Sequence, residues 1–198
     1  MSTLEVFDDI IDKSLQEKIK STLFSDNFPW YFLPDLTSNE KENQSRHGFL
    51  HLFVDDNIEN SEFYTTIRPI LDNTAGKLKL ILPEAIKCRS FLQLPLSLKN
   101  DTVDNAHVDM STPHIVFLYY VIDSDGDTII YDKKWEKGTM QMNSEETAKL
   151  LIKKKITPKQ GRVVVFDGRY WHTAEQPKNS KRCVINSDIT YKDIHANI

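Results

Sequence analysis

His107-Val108-Asp109 is the first grouping in the chain that could do chemistry. On an extended strand, residues i and i+2 point to the same side. An imidazole and a carboxylate two apart can therefore grip one ion without unusual backbone. A second grouping spans residues 161–172 and reads Gly-Arg-Val-Val-Val-Phe-Asp-Gly-Arg-Tyr-Trp-His. It is an apolar strand that runs into a glycine-containing turn and emerges at His172. Antiparallel strands can bring His172 beside His107 and Asp109. Two imidazoles and one carboxylate fill one face of an iron(II) ion and leave the other open, whereas zinc would take a tetrahedral site from similar ligands. A third grouping is Lys181-Arg182, at the head of the strand Cys183-Val-Ile-Asn. An arginine there makes sense if a carboxylate ligand arrives, because its fork matches a carboxylate in two-pronged fashion. Taken singly, each grouping also has an ordinary structural reading. These are a hydrogen-bonded His/Asp pair at a strand end, a core histidine satisfied by backbone, and an exposed basic pair in a turn.

Those residues need strands to hold them, and the second half of the chain supplies candidates. Residues 86–96, 106–108, 115–122, 128–131, 163–166 and 183–189 are short, β-branched and aromatic, with Gly, Asp, Asn and Pro between them. Many short strands with turn signals predict a sandwich or barrel rather than a parallel α/β sheet. The run Asp123-Ser-Asp-Gly-Asp between two of these strands predicts a hairpin. Residues 132–161 form a long charged insertion with a short helix expected near 144–154, and long insertions of this kind often act as lids. Trp135, Met140 and Met142 are its apolar residues, suited either to cover a substrate or to pack on the barrel. Before residue 86 the pattern is mixed. Leu4-Glu-Val-Phe predicts a short strand. Leu15, Ile19 and Leu23 form one helix face. Residues 28–32 are aromatic and extended, 43–46 loop-like, and 48–54 a strand. Phe63, Ile67, Ile70, Leu71 and Leu78 mark a second helix over about 61–80.

The 198 residues suffice for one domain with a proper core. A formal charge of −4 argues against a surface built for nucleic-acid backbone. The Lys153-Lys154-Lys155 run is read as a solvated helix face. Two cysteines, Cys88 and Cys183, make no disulfide framework and are expected as buried free thiols. The N-terminus lacks the basic and apolar regions of a secretory signal, and no apolar run approaches a spanning helix. A cytoplasmic protein with no membrane association is the resulting expectation.

Taken together, His107-x-Asp109, His172 and Arg182, in that order and spacing, resemble the iron(II)/2-oxoglutarate-dependent dioxygenase superfamily, in particular its prolyl 4-hydroxylase-like branch. The likeness extends further. Phe117-Leu-Tyr-Tyr-Val-Ile is similar to the strand that presents a tyrosine to the cosubstrate, with Tyr119 at that position. Asp125-Gly-Asp-Thr resembles the turn before the next strand, and Thr157-Pro-Lys-Gln-Gly-Arg-Val-Val-Val-Phe resembles the approach to the distal histidine. The likeness covers about residues 86–189. The short chain with Phe28-Pro-Trp-Tyr near its start is also similar to bacteriophage-encoded members, for which the host cytoplasm would be the location.

The resemblance implies a mainly β fold, a double-stranded β-helix (jelly-roll, cupin-like) with supporting N-terminal α-helices. One domain would span 1–198, with helical support over about 1–85 and the jelly-roll core over about 86–190. It implies iron(II) on His107, Asp109 and His172, and 2-oxoglutarate with its far carboxylate on Arg182 and a hydroxyl from Tyr119. It also implies O2 as oxidant, with ascorbate as an accessory. Succinate and carbon dioxide would be released as a prime substrate is hydroxylated. Asp109 favours hydroxylation, since halogenating members lack that carboxylate. A peptidyl, prolyl-type side chain leads as substrate, a small molecule follows, and nucleic acid is not expected. Two departures stand out. The turn reads Asp125-Gly126-Asp127 where relatives often have two glycines, and Lys181 adjoins Arg182 where relatives differ over the anchoring cation. A catalytically inactive metal-binding jelly-roll sensor and a zinc hydrolase are the alternatives.

Overall fold

Short runs of β-branched and aromatic residues form strands, as their shape favours on a pleated surface. The structure, a computed structural model, describes residues 4–36, 46–96 and 103–192. Its elements in order are β1 (Leu4–Phe7), α1 (Lys13–Leu23), β2 (Tyr31–Leu33), β3 (Gly48–Asp55), β4 (Ile58–Glu59), α2 (Tyr64–Leu78), β5 (Ile81–Gln93), β6 (Ile115–Tyr120), β7 (Thr128–Lys134), α3 (Ser144–Thr147), β8 (Ile152–Ile156), β9 (Val163–Asp167), β10 (Tyr170–Ala174) and β11 (Arg182–Lys192). A major sheet runs β1-β9-β6-β11-β5-β3-β2, with β4 paired to β3, and a minor sheet runs β10-β7-β8. Isolated bridges from His107 to His172 and to Gln141 lay the His107 segment alongside β10. The result is the expected jelly-roll, mainly β with few helices.

Two apolar layers hold it. Ile19 and Leu23 of α1 and Ile67, Ile70 and Leu71 of α2 pack on the outer face of the major sheet, against Phe53, Cys88, Phe117, Tyr119 and Ile185. Asp12 caps α1 by accepting the Leu15 N–H at 2.8 Å. Between the sheets lie Val116, Leu118, Tyr120, Ile130, Val164, Phe166 and Val184. Because β6 is covered on both faces, every one of its residues is buried. Cys88 and Cys183 are buried free thiols, as expected.

Three local expectations are corrected. The stretch near 144–154 is one helical turn, α3, closed by a capping box between Asn143 and Glu146. It is followed by β8, so Lys153, Lys154 and Lys155 lie on an edge strand. There Lys153 reaches Asp132 and Lys155 reaches Glu175. Asp123–Asp127 is no hairpin, because β6 and β7 belong to different sheets. Instead the Asp125 carboxylate accepts the backbone N–H groups of Lys178, Asn179 and Ser180, and so ties this crossing to the approach of β11. In the first third the strands expected at 4–7 and 48–54 form as β1 and β3, and with β2 and β4 they join the major sheet alongside the two helices. Of the loop expected at 43–46, residues 43–45 lie outside the described residues, and Arg46 is buried.

Candidate active site

His107, Asp109 and His172 converge, with their ligand atoms all within 4.8 Å of one another. Local structure explains how. The turn after β9 sends β10 back as an antiparallel neighbour of β7, and the His107 segment exchanges backbone bonds with His172 at 2.9 and 3.0 Å. The two imidazoles then face each other with centroids 4.6 Å apart. His172 Nδ1 lies 2.9 Å from the Tyr170 carbonyl, and His107 Nδ1 lies 3.4 Å from that of Asn105. A carbonyl only accepts, so Nδ1 donates in each ring, and Nε2, which in His172 faces the Asp109 carboxylate, is the atom that would ligate a metal in exchange for any proton it carries.

The electrostatics suit a cation. Burial, helped by the neighbouring His172, pushes the His107 imidazole down to about 4, which leaves it neutral and able to ligate. Burial opposes charge on His172 too, but the Asp109 carboxylate outweighs it and holds that imidazole above its ordinary value. Burial would raise Asp109, yet Arg89 and His172 together hold it well below the carboxylate range. His172 Nε2 lies 3.2 Å from Asp109 Oδ2. Two neutral-capable imidazoles and a permanent carboxylate, buried and convergent, are a donor set that fits a divalent metal.

The triad opens on a cavity of about 680 Å³ between the sheets. Arg182 lies across it. Its Nε donates to the Gly126 carbonyl at 3.0 Å, Nη1 to Gln93 Oε1 at 2.7 Å and Nη2 to Thr128 Oγ1 at 2.8 Å. All three acceptors are neutral, so the guanidinium is fixed in place without its charge being cancelled by contact. Burial pushes its pKa down. Gly126 makes this approach possible, because a Cβ there would lie 2.7 Å from the Glu175 carbonyl and 3.1 Å from Arg182 Cδ. Lys181 is exposed, with its ammonium over the Phe24 ring. The face carrying Arg182, Val184 and Asn186 is the one that lines the cavity.

Tyr119 is corrected. It points to the helix-covered side of β6, and its hydroxyl is buried there without a hydrogen-bond partner among the described residues. Tyr120 has the inward parity, opposite Val184. Its hydroxyl donates to Thr128 Oγ1 at 2.7 Å, so the hydroxyl lining the cavity beside Arg182 is that of Thr128. Sequence reasoning also missed Arg89 and Asn186, which both reach Asp109, and the buried ion pair between Arg46 and Asp104 at the cavity wall. Burial pushes Asp104 up to about 6 despite that arginine. The insertion at 132–161 divides. Trp135 and Met142 pack on the barrel, while Thr139, Met140 and Gln141 line the cavity.

No family model and no curated protein matches the sequence. Solved structures do. A 2OG-Fe(II) oxygenase family oxidoreductase from Burkholderia pseudomallei is similar, with a TM-score of 0.67 at 10% identity over 96% of this chain and 86% of that one. HygX from Streptomyces hygroscopicus, solved with nickel, 2-oxoglutarate and hygromycin B, gives 0.61 at 11% identity over 96% and 84%. The viral collagen prolyl hydroxylase of Paramecium Bursaria Chlorella virus-1, solved with 2OG, gives 0.56 at 13% over 94% of both chains. The chain has the fold of these oxygenases.

Proposed function

We propose that the chain is an iron(II)- and 2-oxoglutarate-dependent dioxygenase that hydroxylates a peptidyl, prolyl-type side chain. The carrying observation is one cavity with a convergent His107, Asp109 and His172 set at one place and a buried, uncancelled Arg182 across it. Within this reading His107 Nε2, His172 Nε2 and an Asp109 oxygen hold the metal. Iron(II) supplies O2 activation coupled to decarboxylation of the 2-oxo acid, with one oxygen atom entering succinate and the other the product alcohol. Arg182 binds the far carboxylate of the cosubstrate, and the Thr128 hydroxyl adds a hydrogen bond that Tyr120 orients. Val116, Leu118, Phe166 and Val184 keep water from the cosubstrate's methylene chain. Leu33, Leu36, Leu50, Leu52 and Met140 offer an apolar wall for the prime substrate. A metal-carrying sensor would keep the triad without turnover. Among the described residues, no helix is long and apolar enough to cross a membrane.

The test is anaerobic loading with iron(II), then addition of oxygen and 2-oxoglutarate with proline-containing peptides or with small molecules. Succinate formation that rises several-fold with peptides, and is lost without iron, supports the reading. Stimulation by small molecules alone moves the substrate class. Metal binding with no succinate under any condition leaves the sensor.

A further inference from the structure

Asp109 has a supporting cluster of its own. Arg89 on β5 and Asn186 on β11 are direct cross-strand partners on the inward face. Arg89 Nη2 donates to Asp109 Oδ1 at 2.8 Å, and Asn186 Nδ2 donates to Oδ2 at 3.3 Å. The same Nη2 donates to Asp188 Oδ2 at 3.2 Å. Asp188 is fully buried, and its other oxygen faces His114 Nε2 at 3.7 Å. Gly168 lies directly under that ring, where any Cβ would strike His114 Nε2 at 2.0 Å. Asp109, His114 and Asp188 are close enough together to suggest a second metal group. The guanidinium bonded to both carboxylates already supplies the cation, so the cluster is a support and not a second centre.

We propose that Arg89 is a positioning residue that keeps Asp109 a one-oxygen ligand, and that Asp188 holds Arg89 in a shared position. This rests on the reading of His107, Asp109 and His172 as a metal site. The reasoning is geometric. Arg89 holds Oδ1 with a charged donor at 2.8 Å, whereas Oδ2, beside His172 and with only the longer 3.3 Å bond from neutral Asn186, is the less engaged oxygen and the one turned toward the metal site. An unrestrained carboxylate can chelate through both oxygens and would use up one of the open positions that cosubstrate and oxygen need. Asp188 matters in the opposite sense. By bonding the same Nη2 amino group and taking a share of the guanidinium's positive charge, it keeps that charge from falling wholly on Asp109 and weakening that ligand as a donor.

The probe is Mn(II) alone, and the readouts are its affinity and the water-proton relaxivity of the bound ion, which reports how many waters it carries. Three open positions should become two in Arg89→Gln. Its relaxivity then falls by about a third while Mn(II) affinity holds or rises, since a nearby positive charge is gone. Arg89→Lys, which can still occupy Oδ1, should return the wild-type relaxivity. Asp188→Asn leaves Arg89 on Asp109 and should weaken Mn(II) several-fold at unchanged relaxivity. It tests the device even if Arg89→Gln fails to fold. Wild-type relaxivity in Arg89→Gln, or unchanged affinity in Asp188→Asn, overturns the proposal. If the wild-type protein binds no Mn(II), or His172→Ala binds it equally well, the metal site itself is refuted and the positioning role falls with it.

Discussion

The two sheets of the jelly-roll do different work. The major sheet is clad in helices and buried on both faces at its centre, and it carries Arg182, Arg89 and Asn186. Among the described residues the minor sheet has three regular strands plus the His107 bridge, and it carries His172. The proposed cosubstrate anchor and the residues that hold Asp109 therefore sit on the well-packed layer, and the imidazoles sit on the lighter one. Stability and chemistry are thereby separable by mutation. The proposed metal site on this small sheet is held in place because each imidazole is tied by its Nδ1 to a nearby carbonyl and because Asp109 is held from the other sheet.

The comparison can be broken most forcefully in the major layer. Phe53→Ala removes a fully buried ring between β3 and the helices, and should cost about 3–5 kcal/mol in denaturant unfolding. A loss under about 1 kcal/mol would show that the layer is not the stability centre. His172→Ala should do the reverse. Metal affinity falls at least about a hundredfold while the melting temperature of the metal-free protein hardly moves. Arg182→Ala should raise the 2-oxoglutarate requirement by about one to two powers of ten, with Lys181→Ala near normal. If Lys181→Ala is the damaged variant, the inward face of β11 has been misassigned.

Finer tests use neighbours of opposite parity. Tyr120→Phe deletes the donor to Thr128 and should cost about 1 kcal/mol and weaken cosubstrate binding. Tyr119→Phe deletes a buried hydroxyl that has no partner among the described residues and should be neutral or slightly stabilising, with turnover unchanged. Loss of turnover in Tyr119→Phe would restore the tyrosine expected from the sequence. The smallest effect is electrostatic. The Arg162 hydrogen bond beside Asp8 holds that carboxyl down to about 2. A depressed carboxylate stabilises the fold above its unfolded pKa, and this support fades as the pH falls toward 2. Asp8→Asn should therefore lose less than about 1 kcal/mol at pH 7, where solvent screens the partly exposed pair, and progressively less as the pH falls through about 2.

Of the proposed triad and anchor, only the His107 and Asp109 pair was legible from local spacing, and the joining of His172 and the choice of Arg182 over Lys181 rested on the family resemblance. His107 and Asp109 share a strand side, His172 follows a glycine turn, and Lys181 and Arg182 must face opposite ways. Tyr119 was misplaced for a physical reason. Alternation reveals a strand's inner side only when one side meets water, and β6 meets none. Its parity becomes visible through the pairing of Tyr120 with Val184. Arg89 and Asp188 were invisible because nothing local links residues that meet across two strands. The Lys153-Lys154-Lys155 run reads as helical surface by charge alone. Its strand state comes from the open side of β7, a tertiary cause.

That lysine-bearing strand has a consequence for the molecule's life in concentrated solution. β8 ends the minor sheet, so one line of its backbone groups is left available among the described strands, with Leu151 and Ile152 exposed at its start. An open edge beside bare aliphatic side chains is a template on which a second copy could add and propagate. Lys154 on one side of the strand, and Lys153 and Lys155 on the other with Asp132 and Glu175 beside them, would meet their own images across any such junction. Self-association along that edge is opposed by like-charge repulsion, which weakens as salt screens it.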